Sequence, residues 1–236
     1  MGRNCRRHIV TTAPQAFPGF EQRLDGLRAR IEAAAPDPGR VSILAVTKGF
    51  GAEAVRTALS AGLAAVGENY ADELVAKAEA VAADPGSAPE WHFLGAIQRN
   101  KVPRLAPLVS CWQSVARIEE GRAIGRRAPG ARILVQVDVT GLPGRGGVRP
   151  EAVAGLVAGL RDEDLDVVGL MAVGMPGPPE AARPGFREVT RLADELGLAV
   201  RSMGMTDDLE VAVSEGSTLV RIGRALFGDR PPRSPD

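Results

Sequence analysis

"VSILAVTKGF", residues 41–50, runs six mostly apolar residues directly into a lysine and a glycine. A run that is continuously apolar, rather than alternating, reads as a strand covered on both faces, as in parallel sheets. Working outward, similar runs recur at 63–66 (LAAV), 91–94 (WHFL), 108–112 (LVSCW), 132–137 (RILVQV), 166–171 (DVVGLM), 198–202 (LAVRS) and 218–222 (TLVRI). Helical stretches such as "ADELVAKAEAVAA" and "PGFREVTRLADEL" lie between them, and Phe20, Leu24, Leu27 and Ile31 space out an amphipathic helix ahead of them. Eight strands alternating with helices predict a single α/β domain, a (β/α)8 TIM barrel with an N-terminal helix. A doubly wound open sheet is weaker, because no GxGxxG follows the first strand. The barrel is expected over 18–228, with flexible tails at 1–17 and 229–236.

Composition narrows the function. Formal net charge is zero, without a run of five or six like charges, so the electrostatic footprint of a nucleic-acid binder is missing. No apolar run approaches the length of a membrane span, and the start lacks the apolar segment of a signal peptide. Two cysteines far apart, Cys5 and Cys111, fit a reducing cytoplasm. With His8 and His92 as the only histidines, a histidine-based metal site is not expected.

In such barrels the chemistry gathers where strands end. "SMGMTDD" (202–208) puts Ser202 and Gly204 at the end of strand 7, with Thr206 as expected helix cap and Asp207 and Asp208 in the first helical turn. "RIGRALFG" (221–228) puts Gly223 just past strand 8. The loops after strands 7 and 8, with a short helix N-terminus, commonly hold phosphate, although each glycine alone also reads as an ordinary turn residue. Arg221, two residues before Gly223, is directed to the barrel mouth, where it could meet a ring nitrogen or a carboxylate, or pair with a neighbouring acid.

Lys48 then faces that site across the seam between strands 1 and 8. Only three of the 29 Lys+Arg residues are lysines, namely Lys48, Lys77 and Lys101. Arginine could neutralise a phosphate or serve an ion pair; only an amine forms an imine, and a desolvated lysine is the better nucleophile. Asn69, in "GENYADE", either orients a ligand or caps the helix that follows. His92 reads as a satisfied core histidine, and Met171, Met203 and Met205 as wall packing around a ligand or the core.

"AVTKGF", "GENYADEL", "WHFLGAIQRNK", "GLMAVG" and "SMGMTDDLEVAVSEGSTLVRIGRALFG", in that order, resemble the motifs of the pyridoxal phosphate homeostasis (YggS/PROSC) family over about residues 20–228. The resemblance implies a fold type III barrel like the N-terminal domain of alanine racemase, binding pyridoxal 5'-phosphate (PLP). It implies Lys48 as the Schiff-base lysine, Arg221 at the pyridine nitrogen and Asn69 in the pocket. The phosphate cradle would be Ser202, Gly204 and Met205 with Gly223 and Arg224. It further implies a carrier that buffers or delivers PLP to PLP-dependent apoenzymes and affects amino-acid and keto-acid balance, without turnover. An amino-acid racemase is the alternative, set back because alanine racemase draws its second base from a β-domain that this chain does not carry; on the same ground a monomer is expected. Two positions depart from the usual pattern: Arg145, where relatives often have lysine, and Trp112, where they often have histidine.

Overall fold

The computed structural model describes residues 16–84 and 88–230. Of the tails expected at 1–17 and 229–236, residues 1–15 and 231–236 lie outside these. Eight parallel strands close into a barrel in chain order, β1 beside β8. They are β1 (Ser42–Val46), β2 (Ala65–Glu68), β3 (Glu90–Phe93), β4 (Val109–Val115), β5 (Arg132–Val137), β6 (Asp166–Ala172), β7 (Val200–Ser202) and β8 (Leu219–Ile222). The seam pairs Leu44 with Arg221 and Ala45 with Ile222, which sets Lys48 opposite the end of β8.

The expected fold is therefore present, with β4 running three residues further than its apolar stretch. Gln113 and Ser114 end the apolar pattern yet continue the strand; both are buried and hydrogen-bonded, Gln113 to His92 and Ser202, and Ser114 to the Gly95 carbonyl.

Helices α1 (Phe20–Ala34), α2 (Ala52–Ser60), α3 (Ala71–Val81), α4 (Val102–Leu105), α5 (Ile118–Gly125), α6 (Val153–Asp162), α7 (Arg183–Glu195), α8 (Leu209–Ser214) and α9 (Arg224–Phe227) surround the barrel. The main core lies between strands and helices, filled by large buried side chains such as Phe186, Leu74 and Leu160. A smaller cluster of Cys111, Leu134 and Met171 fills part of the barrel interior.

Helix α1 buries Phe20, Leu24, Leu27 and Ile31, as its spacing predicts, and packs on α8 and α9. Arg23 Nε donates to the Leu226 carbonyl at 2.7 Å, satisfying an end of α9 that a four-residue helix cannot satisfy itself. Phe17, placed in the leading tail by its sequence position, instead joins an aromatic cluster, 5.7 Å from the Phe50 ring and 5.1 Å from that of Phe227. That cluster fixes α9 and the loop after β1, the two segments that flank Lys48.

Candidate functional site

At the carboxyl ends of the strands lies a cavity of about 360 Å³, lined among others by Lys48, Asn69, Met205, Arg221, Gly223 and Arg224. Its size falls within the range of about 300–1,000 Å³ usual for small-molecule sites. A cavity of about 420 Å³ at the opposite mouth is lined by strand starts, Ser42, Ala65, Glu90 and Thr218 among them. The chemistry of this fold belongs to the carboxyl end, and that is where Lys48 and Arg221 meet.

Lys48 lies two residues beyond β1 and is half-buried. Burial, and then the positive charges of Arg230 and Arg221, hold its ammonium below the ordinary lysine range. Desolvation and like charge both favour the neutral amine, the form that attacks a carbonyl carbon.

The loop that carries it is held from behind. Lys77 Nζ donates to the Thr47 carbonyl at 2.8 Å and to Glu68 Oε1 at 2.6 Å, and Thr47 Oγ1 donates to that same oxygen at 2.5 Å. Gly49 N donates to Glu73 Oε2 at 2.8 Å. Thus the second lysine of the chain is a buried structural cation. Glu68 is pushed above the usual carboxylate range by burial, against the opposing pull of Lys77.

Arg221 is 6% exposed and, among the described residues, makes no ion pair with a carboxylate, which was one of the roles open to it from sequence. Nη1 donates to the Ser202 carbonyl at 2.5 Å and to Ser202 Oγ at 2.9 Å, and Nη2 donates to the Ala172 carbonyl at 2.7 Å. Three of its five N–H groups are thus engaged, leaving two for the cavity. Burial lowers its pKa to about 10, still cationic at neutral pH.

Asn69 lines the cavity with Oδ1 buried and without a partner. The capping alternative is not realised, since Tyr70 is the cap of α3 and no side chain bonds there. Tyr70 itself is outside the cavity lining, 46% exposed.

Of the residues expected to cradle an anion, some line the cavity and others lie behind it. Met205, Thr206, Gly223 and Arg224 line the cavity, and Gly223 precedes α9, whose first N–H groups have no intrahelical acceptor. Ser202 and Gly204 stand behind this lining. The Ser202 hydroxyl is fully buried and donates to Gln113 Oε1 at 2.7 Å, so it addresses Arg221 rather than the cavity.

Gly204 has φ of 88°, and a Cβ there would lie 2.5 Å from that of Ala212; its requirement for glycine is backbone geometry. Thr206 does not cap a helix, because α8 starts at Leu209 after a turn. The turn closes through Met205 N donating to Asp208 Oδ1 at 2.6 Å.

Trp112 is fully buried and packs edge-on to Phe93 at 5.8 Å. Arg145 is exposed and does not line the cavity. Arg230 does line it, from the segment expected to be a tail. Nothing in its local sequence signals this; it is brought there by the chain doubling back past Gly49, where a Cβ would meet Arg230 Cδ at 2.9 Å.

The family model described as "Alanine racemase, N-terminal domain" matches residues 23–231. A pyridoxal phosphate homeostasis protein of Pseudomonas aeruginosa is 38% identical over 212 residues, covering 86% of this chain and 91% of its relative. The chain belongs to the pyridoxal phosphate homeostasis protein family. The homologue from Aquifex aeolicus is 36% identical over 225 residues, covering 89% of this chain and 97% of that one.

Among solved structures, PipY of Synechococcus elongatus with PLP bound superposes with a TM-score of 0.77 at 29% identity, over 89% of this chain and 100% of PipY. An alanine racemase of Clostridium difficile shares the fold, with a TM-score of 0.70 at 16% identity over 89% of this chain and 58% of the racemase.

Proposed function

We propose that this protein binds PLP in the cavity at the carboxyl ends of the strands, holds it covalently on Lys48, and buffers or delivers it without a catalytic cycle. The observation that carries the reading is the union in one small cavity of a partly desolvated lysine, a buried arginine with two spare N–H groups, and unpaired amides at the start of α9. The orphaned Asn69 Oδ1 fits a ligand that brings a hydrogen-bond donor.

When bound, PLP supplies an aldehyde that reacts with amines and a ring that can draw electrons. Lys48 would hold the cofactor, its amine being the group that such an aldehyde takes. Arg221 would donate to the ring nitrogen from its two spare N–H groups, which disfavours protonation of that nitrogen. Thr206, Gly223 and Arg224 receive the phosphate.

Two features support storage over turnover. PLP enzymes that stabilise carbanions usually place a carboxylate at the ring nitrogen, whereas this reading gives that position to Arg221. A two-base racemase needs a second base facing the lysine, whereas among the described residues the other ionisable groups lining the cavity are Asp207 and three arginines. No described helix is long and apolar enough to cross a membrane. The cytoplasm as its compartment, a monomeric state and PLP-dependent apoenzymes as recipients complete the proposal.

The test is borohydride reduction of the PLP-loaded protein followed by peptide mapping. The label is expected on Lys48 and is expected to vanish in Lys48→Arg; a pyridoxyl group on another residue, or one undiminished in the variant, refutes the assignment.

A further inference from the structure

The interior of such a barrel is normally filled by branched apolar side chains. Here a column of four polar ones crosses it: Arg221, Ser202, Gln113 and His92, each at least nine-tenths buried. Arg221 Nη1 donates to Ser202 Oγ at 2.9 Å, and Ser202 Oγ donates to Gln113 Oε1 at 2.7 Å. Gln113 Nε2 lies 2.6 Å from His92 Nδ1. The column therefore runs from the cavity that holds Lys48 to the cavity at the opposite mouth, which His92 lines.

Valence sets the direction of every link. A guanidinium only donates, so Ser202 Oγ accepts from Arg221 and its single hydrogen is left for Gln113 Oε1. An amide nitrogen only donates, so His92 Nδ1 accepts and the imidazole proton sits on Nε2. Reversing the Gln113 amide would leave Ser202 accepting from two donors, with its own hydrogen pointing at none. In a low-dielectric interior that loss is costly, so the column admits one arrangement. Arg221, without a carboxylate to orient it, is thereby fixed by Ser202 and the Ala172 carbonyl alone.

We propose that Gln113 and His92 are positioning residues for Arg221, holding the guanidinium through Ser202 at the angle from which its two spare N–H groups meet the ring nitrogen of the ligand. The proposal rests on the PLP reading above, and its tests are chosen to fail separately from that reading.

The first measurement uses the apo protein. Nitrogen-15 NMR at neutral pH, with His8→Gln leaving one imidazole, is expected to show His92 as the Nε2–H tautomer. An Nδ1–H tautomer overturns the column whether or not PLP binds. The second follows release of PLP and its visible absorption. Gln113→Met, which removes both links, is expected to speed release about tenfold, the usual scale for one hydrogen bond to a charged group, and to shift the absorption maximum. Gln113→Glu keeps the acceptor facing Ser202; it is expected to restore slow release while moving the His92 proton to Nδ1.

A merely structural glutamine would give equal losses of stability without that rescue or spectral change. Gln113→Met with wild-type release and absorption overturns the proposal, and if that variant does not fold, the apo tautomer and Gln113→Glu decide. Wild-type protein with the Nε2–H tautomer that takes up no PLP refutes the ligand reading, and with it the target assigned to Arg221.

Discussion

Lys77→Met tests how the Lys48 loop is held. In the native protein Lys77 is 5% exposed and Glu68 is 0% exposed, joined at 2.6 Å, with the Thr47 carbonyl as a further acceptor for the lysine. Methionine keeps the length of the stem but leaves a buried carboxylate with only the Thr47 hydroxyl. Removing one partner of such a pair costs about 3–5 kcal/mol, which for a chain of this size is a fall in Tm of about 6–20 °C.

The loss also has a signature in pH. Burial already raises Glu68, and Lys77 supplies the two leading opposing influences, so the variant moves it further up. A carboxyl whose folded pKa lies above its unfolded value contributes nothing below the unfolded value, and its destabilisation grows as pH rises through the folded value. Urea unfolding of wild type and variant at a series of pH values should therefore show a gap that is small in acid and full above the raised Glu68 pKa. Replacing both residues, as Lys77→Met with Glu68→Met, should recover most of the stability. A gap below about 1 kcal/mol, or one independent of pH, would refute the argument that the ion pair supports this loop.

Arg230→Ala removes a positive charge facing Lys48, so the lysine pKa should rise and the pH profile of PLP uptake by apo protein should move to higher pH; an unshifted profile denies Arg230 that role. Gly204→Ala forces a left-handed backbone onto alanine and a Cβ against Ala212, a loss of about 1–3 kcal/mol readable by urea unfolding. His92, lowered to about 4 by burial, binds its proton in the unfolded chain first, so stability should fall as pH drops from 6.5 to about 4. His92→Gln should flatten that slope. Cys111, raised to about 12 by burial, should resist alkylation in the native protein and react on unfolding, as peptide mapping would show.

Chain-local signals carried the architecture and half of the site. Eight near-continuously apolar runs alternating with helical stretches read as parallel strands covered on both faces, and their number in a chain of this length favours a closed barrel over an open sheet, so the barrel and the list of strand ends were legible. Lys48, Asn69, Arg221 and Gly223 follow from that list, because the last residues of parallel strands converge at one mouth. Lys77 was indistinguishable from a solvated mid-helix lysine, since its Glu68 partner ends the preceding strand, at a spacing of nine residues that no helix period relates. Gln113 and Ser114 were hidden because polar residues at the end of an apolar run read as a loop.

Tertiary structure alone decided which polar groups meet. Ser202 and Gln113 are 89 residues apart, and Arg30 and Glu210 are 180 apart; no periodicity relates such positions. Local pattern fixes the face on which a side chain lies, through strand and helix periods. Pairing across a closed barrel depends on register and stagger, and these are settled only when the whole core packs. That is why the lysine was readable from ten residues, whereas the column orienting the arginine opposite it required the complete barrel.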